Sequence, residues 1–175
     1  MTTTSVHLRP LTKEDLAPRL AMINDEAVQR QTIGDRMEPT TQADLERWFE
    51  MVQADPFSEQ WAVVTPAQGY VGDVDLHSIG VLGSEAWLSL MIGDPDLAED
   101  AGFRRLVLER VVRYAFAEKG VAKVCVDLPS TDAVGAAALE ALGFVRTDEM
   151  EMDVLTGVRT LTYELADRPG PQTQG

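Results

Sequence analysis

The sequence predicts a mixed α/β fold, a mostly antiparallel sheet of about seven strands with helices on both faces. Three observations predict it. Short strand windows joined by tight turns fill the middle of the chain between Trp61 and Ile92, the pattern of an antiparallel meander. The most strongly periodic helix, Phe103 to Lys119, follows directly. An apolar strand, a small-residue helix and two further strands come after it, giving the order β-α-α-β-β-β-α-β-α-β-β.

Each element has a local cause. Val6 to Leu11 starts as a strand and is stopped by Pro10. Thr12, with Asp15 three residues on, reads as an N-cap ahead of Leu16, Leu20 and Ile23 at helical spacing. Asn24 to Glu38 is polar and without a clear period. Pro39-Thr40-Thr41 opens a second helix that puts Leu45, Trp48, Phe49 and Val52 on one face, and Asp55-Pro56 ends it. Trp61–Val64, Tyr70–Ile79 and Ala86–Ile92 are the meander strands, the last almost wholly apolar, as a central strand should be. In the long helix Leu106, Val107, Val111, Tyr114 and Ala115 recur at helical spacing, and Lys119-Gly120 is a cationic last turn followed by a C′ glycine. Val121–Leu128 is a strand ended by Pro129, and Asp132 to Leu142 is a helix closed by Gly143. Two strands broken at Thr156-Gly157 complete the sheet. Residues 1–167 read as one domain, and the Pro-, Gly- and Gln-rich 168–175 as a disordered tail.

Composition narrows the function. A chain of 175 residues with 45% hydrophobic and 25% charged residues can bury a real core. Fifteen Lys and Arg against 29 Asp and Glu leave a net charge of −14. That argues against nucleic acid and against anionic membranes, which are polyanions, and favours a cationic partner. One cysteine, Cys125, excludes a disulfide framework and a thiolate metal site, and its apolar neighbours Val124 and Val126 read as a buried strand. Two histidines and scattered carboxylates show no metal-ligand spacing, so no metal is expected. No nucleophile elbow is present. No window is apolar enough to span a membrane, and Met1 to Ser5 has no secretory pattern, so the expected location is cytoplasmic.

Four segments stand out in order: Leu8-Arg9-Pro10-Leu11-Thr12 with Asp15, Val71 to Ile79, Met91-Ile92-Gly93-Asp94-Pro95, and Ala138 to Phe144. In that order and spacing they resemble the GNAT acetyltransferase family, in the branch that acetylates ribosomal-protein N-termini. The resemblance runs from about Val6 to Leu165. It implies the GNAT fold, a monomer or homodimer, and acetyl-CoA or another acyl-CoA as donor. The family holds its donor's pyrophosphate on a loop reading Arg/Gln-x-x-Gly-x-Gly/Ala, where glycines let backbone N–H groups approach and a helix terminus adds positive charge. Counted back from Tyr114-Ala115-Phe116, the matching loop here is Glu99-Asp100-Ala101-Gly102-Phe103-Arg104. Only Gly102 keeps the pattern. If CoA binds, the resemblance assigns it Met91, Ile92, Gly102, Phe103, Arg104 and Arg105. Asp94, Asp96, Glu99 and Asp100 cluster before the helix. A carboxylate about 4 Å from a phosphate charge costs about 1 kcal/mol in water and about 4 at an effective dielectric of 20. Arg104 and Arg105 on the first turn are the groups that could offset this by reaching an anion with their side chains.

The positions that match the family's cofactor-contacting Asn and thiolate-protonating Tyr hold Asp132 and Leu139. Asp132 also reads as an ordinary N-cap, and Leu139 has no proton to give. Asp73, Asp75 and His77 alternate onto one face of a strand. The catalytic candidates are therefore His77 as a base beside Asp75, with Asp132; the plainer account is a polar, solvent-facing strand edge. Two functions remain open. One is an acyl-CoA-dependent N-acetyltransferase acting on the amine of a small cationic molecule or peptide. The other is a non-acetylating homologue with no cofactor, a binding or scaffold protein or a repurposed enzyme. They differ in whether the cleft between the fourth and fifth strands is open or filled by Phe103, Arg104 and Leu139.

Overall fold

A computed structural model describes residues 5–31, 38–152 and 157–167. The expected tail at 168–175 and the N-terminal residues 1–4 lie outside the described residues, as does Thr156 of the expected last turn.

The chain opens with β1 (His7–Pro10). A single 3-10 turn at Lys13–Asp15 follows, in which the Asp15 carboxylate accepts from the Thr12 N–H at 2.9 Å. It also takes both terminal nitrogens of Arg9 at 2.7 Å, which ties the strand to the turn. The turn leads into α1 (Leu16–Ile23). The stretch without a clear period contains a one-turn helix, α2 (Glu26–Gln29), capped by the Asp25 carboxylate. α3 (Gln42–Ala54) has Thr41 and Asp44 as a capping box. The meander is β2 (Glu59–Thr65), β3 (Gly69–His77) and β4 (Glu85–Ile92). A short α4 (Pro95–Ala98) precedes the long α5 (Ala101–Ala117), which begins two residues earlier than its apolar period suggests because Asp100 caps it. β5 (Lys123–Pro129), α6 (Ala133–Ala141), β6 (Val145–Met152) and β7 (Arg159–Ala166) complete the chain.

The seven strands form one sheet in the order β1-β2-β3-β4-β5-β7-β6. Among the described residues its pairs are antiparallel except β4 with β5. That parallel pairing covers only Glu85–Trp87 against Lys123–Cys125. Past it the two strands part, although β4 stays paired with β3 to Ile92 and β5 with β7 to Pro129. The sheet therefore opens into a cleft at its centre.

The pleat sends alternate residues to two cores. Val74, Leu76, Ala86, Leu88 and Ile92 pack with Phe103, Val107 and Val111 of α5 and with Ala138 and Leu139 of α6. On the opposite face Ala62 packs with Leu16 and Ile23 of α1 and with Leu45 and Phe49 of α3. Burying side chains of this size contributes roughly 1.5–3 kcal/mol each. Cys125 is buried in β5, and burial pushes its thiol up to about 11.

Candidate functional site

Where β4 and β5 part, a cavity of about 350 Å³ opens through the sheet. One wall is apolar, with Leu88, Leu108, Val126, Leu128 and Leu139. The other is polar and comes from β3 and β4. Asp73, Asp75 and His77 lie opposite Met91, Ser89 and Trp87 in the strand register, so all six side chains share the face toward α1 and α3.

The structure brings Asp75 and His77 together. His77 Nδ1 lies 3.2 Å from Asp75 Oδ1, which also accepts from the Ser89 N–H at 3.2 Å. The hydrogen bond to Asp75 raises the His77 pKa above its ordinary value, against the opposing effect of burial. Asp127 of β5 lines the cavity from the other strand and accepts from the Thr162 hydroxyl at 2.5 Å.

Asp132, the third catalytic candidate, stands away from this pair. It caps α6 by accepting from the Gly135 N–H at 2.8 Å. It also receives both terminal nitrogens of Arg104, at 2.8 and 2.6 Å. Both side chains are nearly removed from solvent, 4% and 8% exposed. This fork-to-carboxylate pair joins α5 to α6 at the wall of the cavity. Gly135 makes room for it, since a Cβ there would lie 2.4 Å from Asp132 Oδ2 and 2.6 Å from a terminal nitrogen of Arg104.

The other residues matched to the cofactor loop are dispersed. The Asp100 carboxylate accepts from the Phe103 N–H at 3.0 Å, so the start of α5 carries its own anion. A Cβ on Gly102 would meet that carboxylate at 3.1 Å. The Phe103 ring is buried in the α5 core, and Arg105 is exposed. Met91 lines the cavity. Ile92 is buried, and its N–H and C=O exchange hydrogen bonds with the Gln31 carboxamide, at 3.3 and 2.8 Å. The side chain of Gln31 thus covers backbone groups at the end of β4.

Two further residues define the deep end. Arg19 of α1 donates Nε to Asp73 Oδ2 at 2.7 Å and lies 3.9 Å from the Trp48 ring centre. The Tyr70 hydroxyl donates to the same Asp73 oxygen at 2.7 Å. Burial raises the Asp73 carboxyl above the ordinary range, opposed by Arg19 and Tyr70. Burial, with Asp73, raises the Tyr70 phenol as well. Sequence reasoning missed Arg19 and Gln31. The signal for Arg19 was present: Leu16, Arg19, Leu20 and Ile23 share one helical stripe, and a charge within an apolar stripe needs a partner.

Comparison with known proteins fits this architecture. The acetyltransferase (GNAT) domain family matches residues 5–145. No curated protein matches the chain. Among solved structures, a spermidine N-acetyltransferase from Vibrio cholerae, in complex with CoA and spermine, superposes with a TM-score of 0.80 at 18% identity, over 92% of this chain and 95% of that one. An N-acetyltransferase from Staphylococcus aureus Mu50 gives a TM-score of 0.76 at 18% identity, over 93% and 99%. A domain from Methanocaldococcus jannaschii DSM 2661 gives 0.75 at 16%, over 94% and 99%. At these identities the structures speak for the fold, and the family match covers most of the sequence. No helix among the described residues is long and apolar enough to cross a membrane. The chain belongs to the GNAT acetyltransferase family.

Proposed function

We propose that the chain is a non-acetylating member of its family that recognises an amine-bearing cation in the cleft between β4 and β5. The observation that carries this reading is the Arg104–Asp132 pair on the cofactor side of the cleft. In the family pattern a small residue stands at position 104 so that backbone can approach the donor. Here a buried guanidinium fills that position and is anchored to α6. The residues present do not fit the diphosphate of acetyl-CoA. Asp100 already occupies the Phe103 N–H, and Asp94, Asp96 and Glu99 add negative charge nearby in the chain. Each close carboxylate–phosphate contact at the protein surface costs about 4 kcal/mol. Of the two first-turn arginines, Arg104 is committed to Asp132 and only Arg105 stays exposed.

The amine end of the reading rests on the Asp75 and Asp127 carboxylates beside His77. The net charge of −14 attracts cations to the molecule as a whole. The V. cholerae neighbour was crystallised with spermine, a polyamine, and a cationic small molecule or peptide amine is the matching ligand class here.

The second reading is an acyl-CoA-dependent N-acetyltransferase, favoured by family membership and by the apolar wall of the cavity. In it His77, steadied by Asp75, takes the amine proton. Calorimetric titration with acetyl-CoA at low and moderate salt separates the two. Absence of binding at millimolar acetyl-CoA is the expected result. Micromolar binding that weakens with salt overturns it, and a thiol-release assay over a panel of amines then identifies the acceptor.

A further inference from the structure

We infer that the ligand of this cleft carries a carboxylate as well as an amine, and that Arg19 holds the carboxylate. A guanidinium has five N–H groups. Only the Nε–H of Arg19 is used, on Asp73. One face of the group lies over Trp48. The two terminal NH2 groups have no acceptor among the described residues, although Arg19 is 8% exposed and forms part of the cavity wall. These terminal nitrogens are not sealed from solvent, so their N–H groups are open to an acceptor that enters the cavity. Asp73 Oδ2 accepts from both the Arg19 Nε–H and the Tyr70 hydroxyl, so this contact holds the guanidinium by its Nε edge. The contacts through Nε and through the Trp48 face fix the guanidinium plane, leaving a rigid fork at the cavity. A planar carboxylate is the anion that matches such a fork in two parallel hydrogen bonds. Asp75 and Asp127 in the same cavity repel an anion of higher charge.

The spacing follows from the strand. Asp73, Asp75 and His77 succeed one another on one face of β3, about 7 Å per pair of residues. The carboxylate at Arg19 and the amine at Asp75 and His77 are then roughly 7–13 Å apart, the span of an ω-amino acid or a short peptide. This deepens the amine-recognition reading and rests on it for the positive end only.

The test is calorimetry of the full chain with four probes of related size: 6-aminohexanoate, hexylamine, hexanoate and spermidine. The expected result is 6-aminohexanoate binding at least ten-fold tighter than hexylamine, with that preference removed by Arg19→Lys, which keeps the charge beside Asp73 and loses the fork. If Arg19→Lys does not fold, the Arg19→Gln/Asp73→Asn variant, which removes both charges together, gives the same readout. Hexylamine or spermidine binding as tightly as 6-aminohexanoate overturns the carboxylate and leaves amine recognition standing. Hexanoate binding that depends on Arg19, with no amine bound, keeps the carboxylate site and overturns amine recognition. No binding by any of the four overturns both.

Discussion

Replacing Asp132 by Asn tests the central pair directly. The amide can still accept from the Gly135 N–H, so the α6 cap is kept in kind. What is lost is the charge that compensates Arg104. The Arg104 Nε is already buried with no partner, so the guanidinium has no second acceptor to turn to among the described residues. Breaking a buried pair by removing one partner costs about 3–5 kcal/mol. Domains are stable by about 5–15 kcal/mol, so this is a large share of the whole. With a urea slope of about 2 kcal/mol/M, the midpoint of unfolding should fall by roughly 1.5–2.5 M. Arg104→Met alone should also destabilise, by leaving the Asp132 carboxylate uncompensated. The double variant Arg104→Met/Asp132→Asn removes both charges and should recover most of the loss, since apolar replacement of a buried pair is often neutral or better. Urea titrations followed by circular dichroism measure all four corners of this cycle. Single variants that each cost less than about 1 kcal/mol, or a double variant whose loss is the sum of the two, would refute the argument that the pair is buried and mutually dependent.

Three further predictions use other parts of the molecule. Gly135→Ala should destabilise by less than Asp132→Asn, roughly 2 kcal/mol, because its Cβ must displace one member of the pair while Ala regains about 1 kcal/mol of helix propensity; a urea midpoint unchanged from wild type would contradict this. The imidazole of His77 should titrate above 6.5 by proton NMR and move back toward 6.5 in Asp75→Asn. The sign is that of a raised base: the contribution to stability is complete below the unfolded value near 6.5 and is lost as pH rises through the folded value. Cys125, buried with its thiol raised to about 11, should react with an aromatic disulfide at pH 8 far more slowly in the native protein than in urea; equal rates would mean that β5 is open to solvent.

Much of the fold was legible because its signals are local. The meander, the α5 period and the Asp132 cap follow from side-chain alternation, helical spacing and a short capping side chain. The short α2 and α4 were not visible, since one turn carries no period and each is held by a single Asp cap, Asp25 and Asp94. The site was legible in part. Asp75 and His77 meet because a strand repeats every two residues. The polar contacts of Arg19 with Asp73 and of Arg104 with Asp132 join residues 54 and 28 positions apart, and no local rule reports them. Arg104 illustrates the limit. The sequence places it on the first turn of a helix, where it can face outward to an anion; the structure turns it inward to Asp132.

That inward turn joins two sequence departures, Arg104 and Asp132, with a glycine into one unit. A guanidinium at position 104 without Asp132 would be a buried unpaired charge, with the cost already worked out. An Asp at position 132 without Arg104 would be an ordinary cap, but it would not need the absence of a Cβ three residues later for a second, buried partner. Gly135 near the start of α6 lowers helix propensity by about 1 kcal/mol relative to Ala, a cost with no return unless the pair beside it requires the space. Independent substitutions along the chain would have no reason to meet one another in space. Instead, Arg104 from the loop, Asp132 from the β5–α6 connection and Gly135 from α6 fit one another to within hydrogen-bonding distance. The Gln31 carboxamide covers the backbone at the end of β4 by a separate route. The α5–α6 wall of the cleft is therefore held by mutually dependent contacts, and Arg19, Asp75 and His77 line the same cavity.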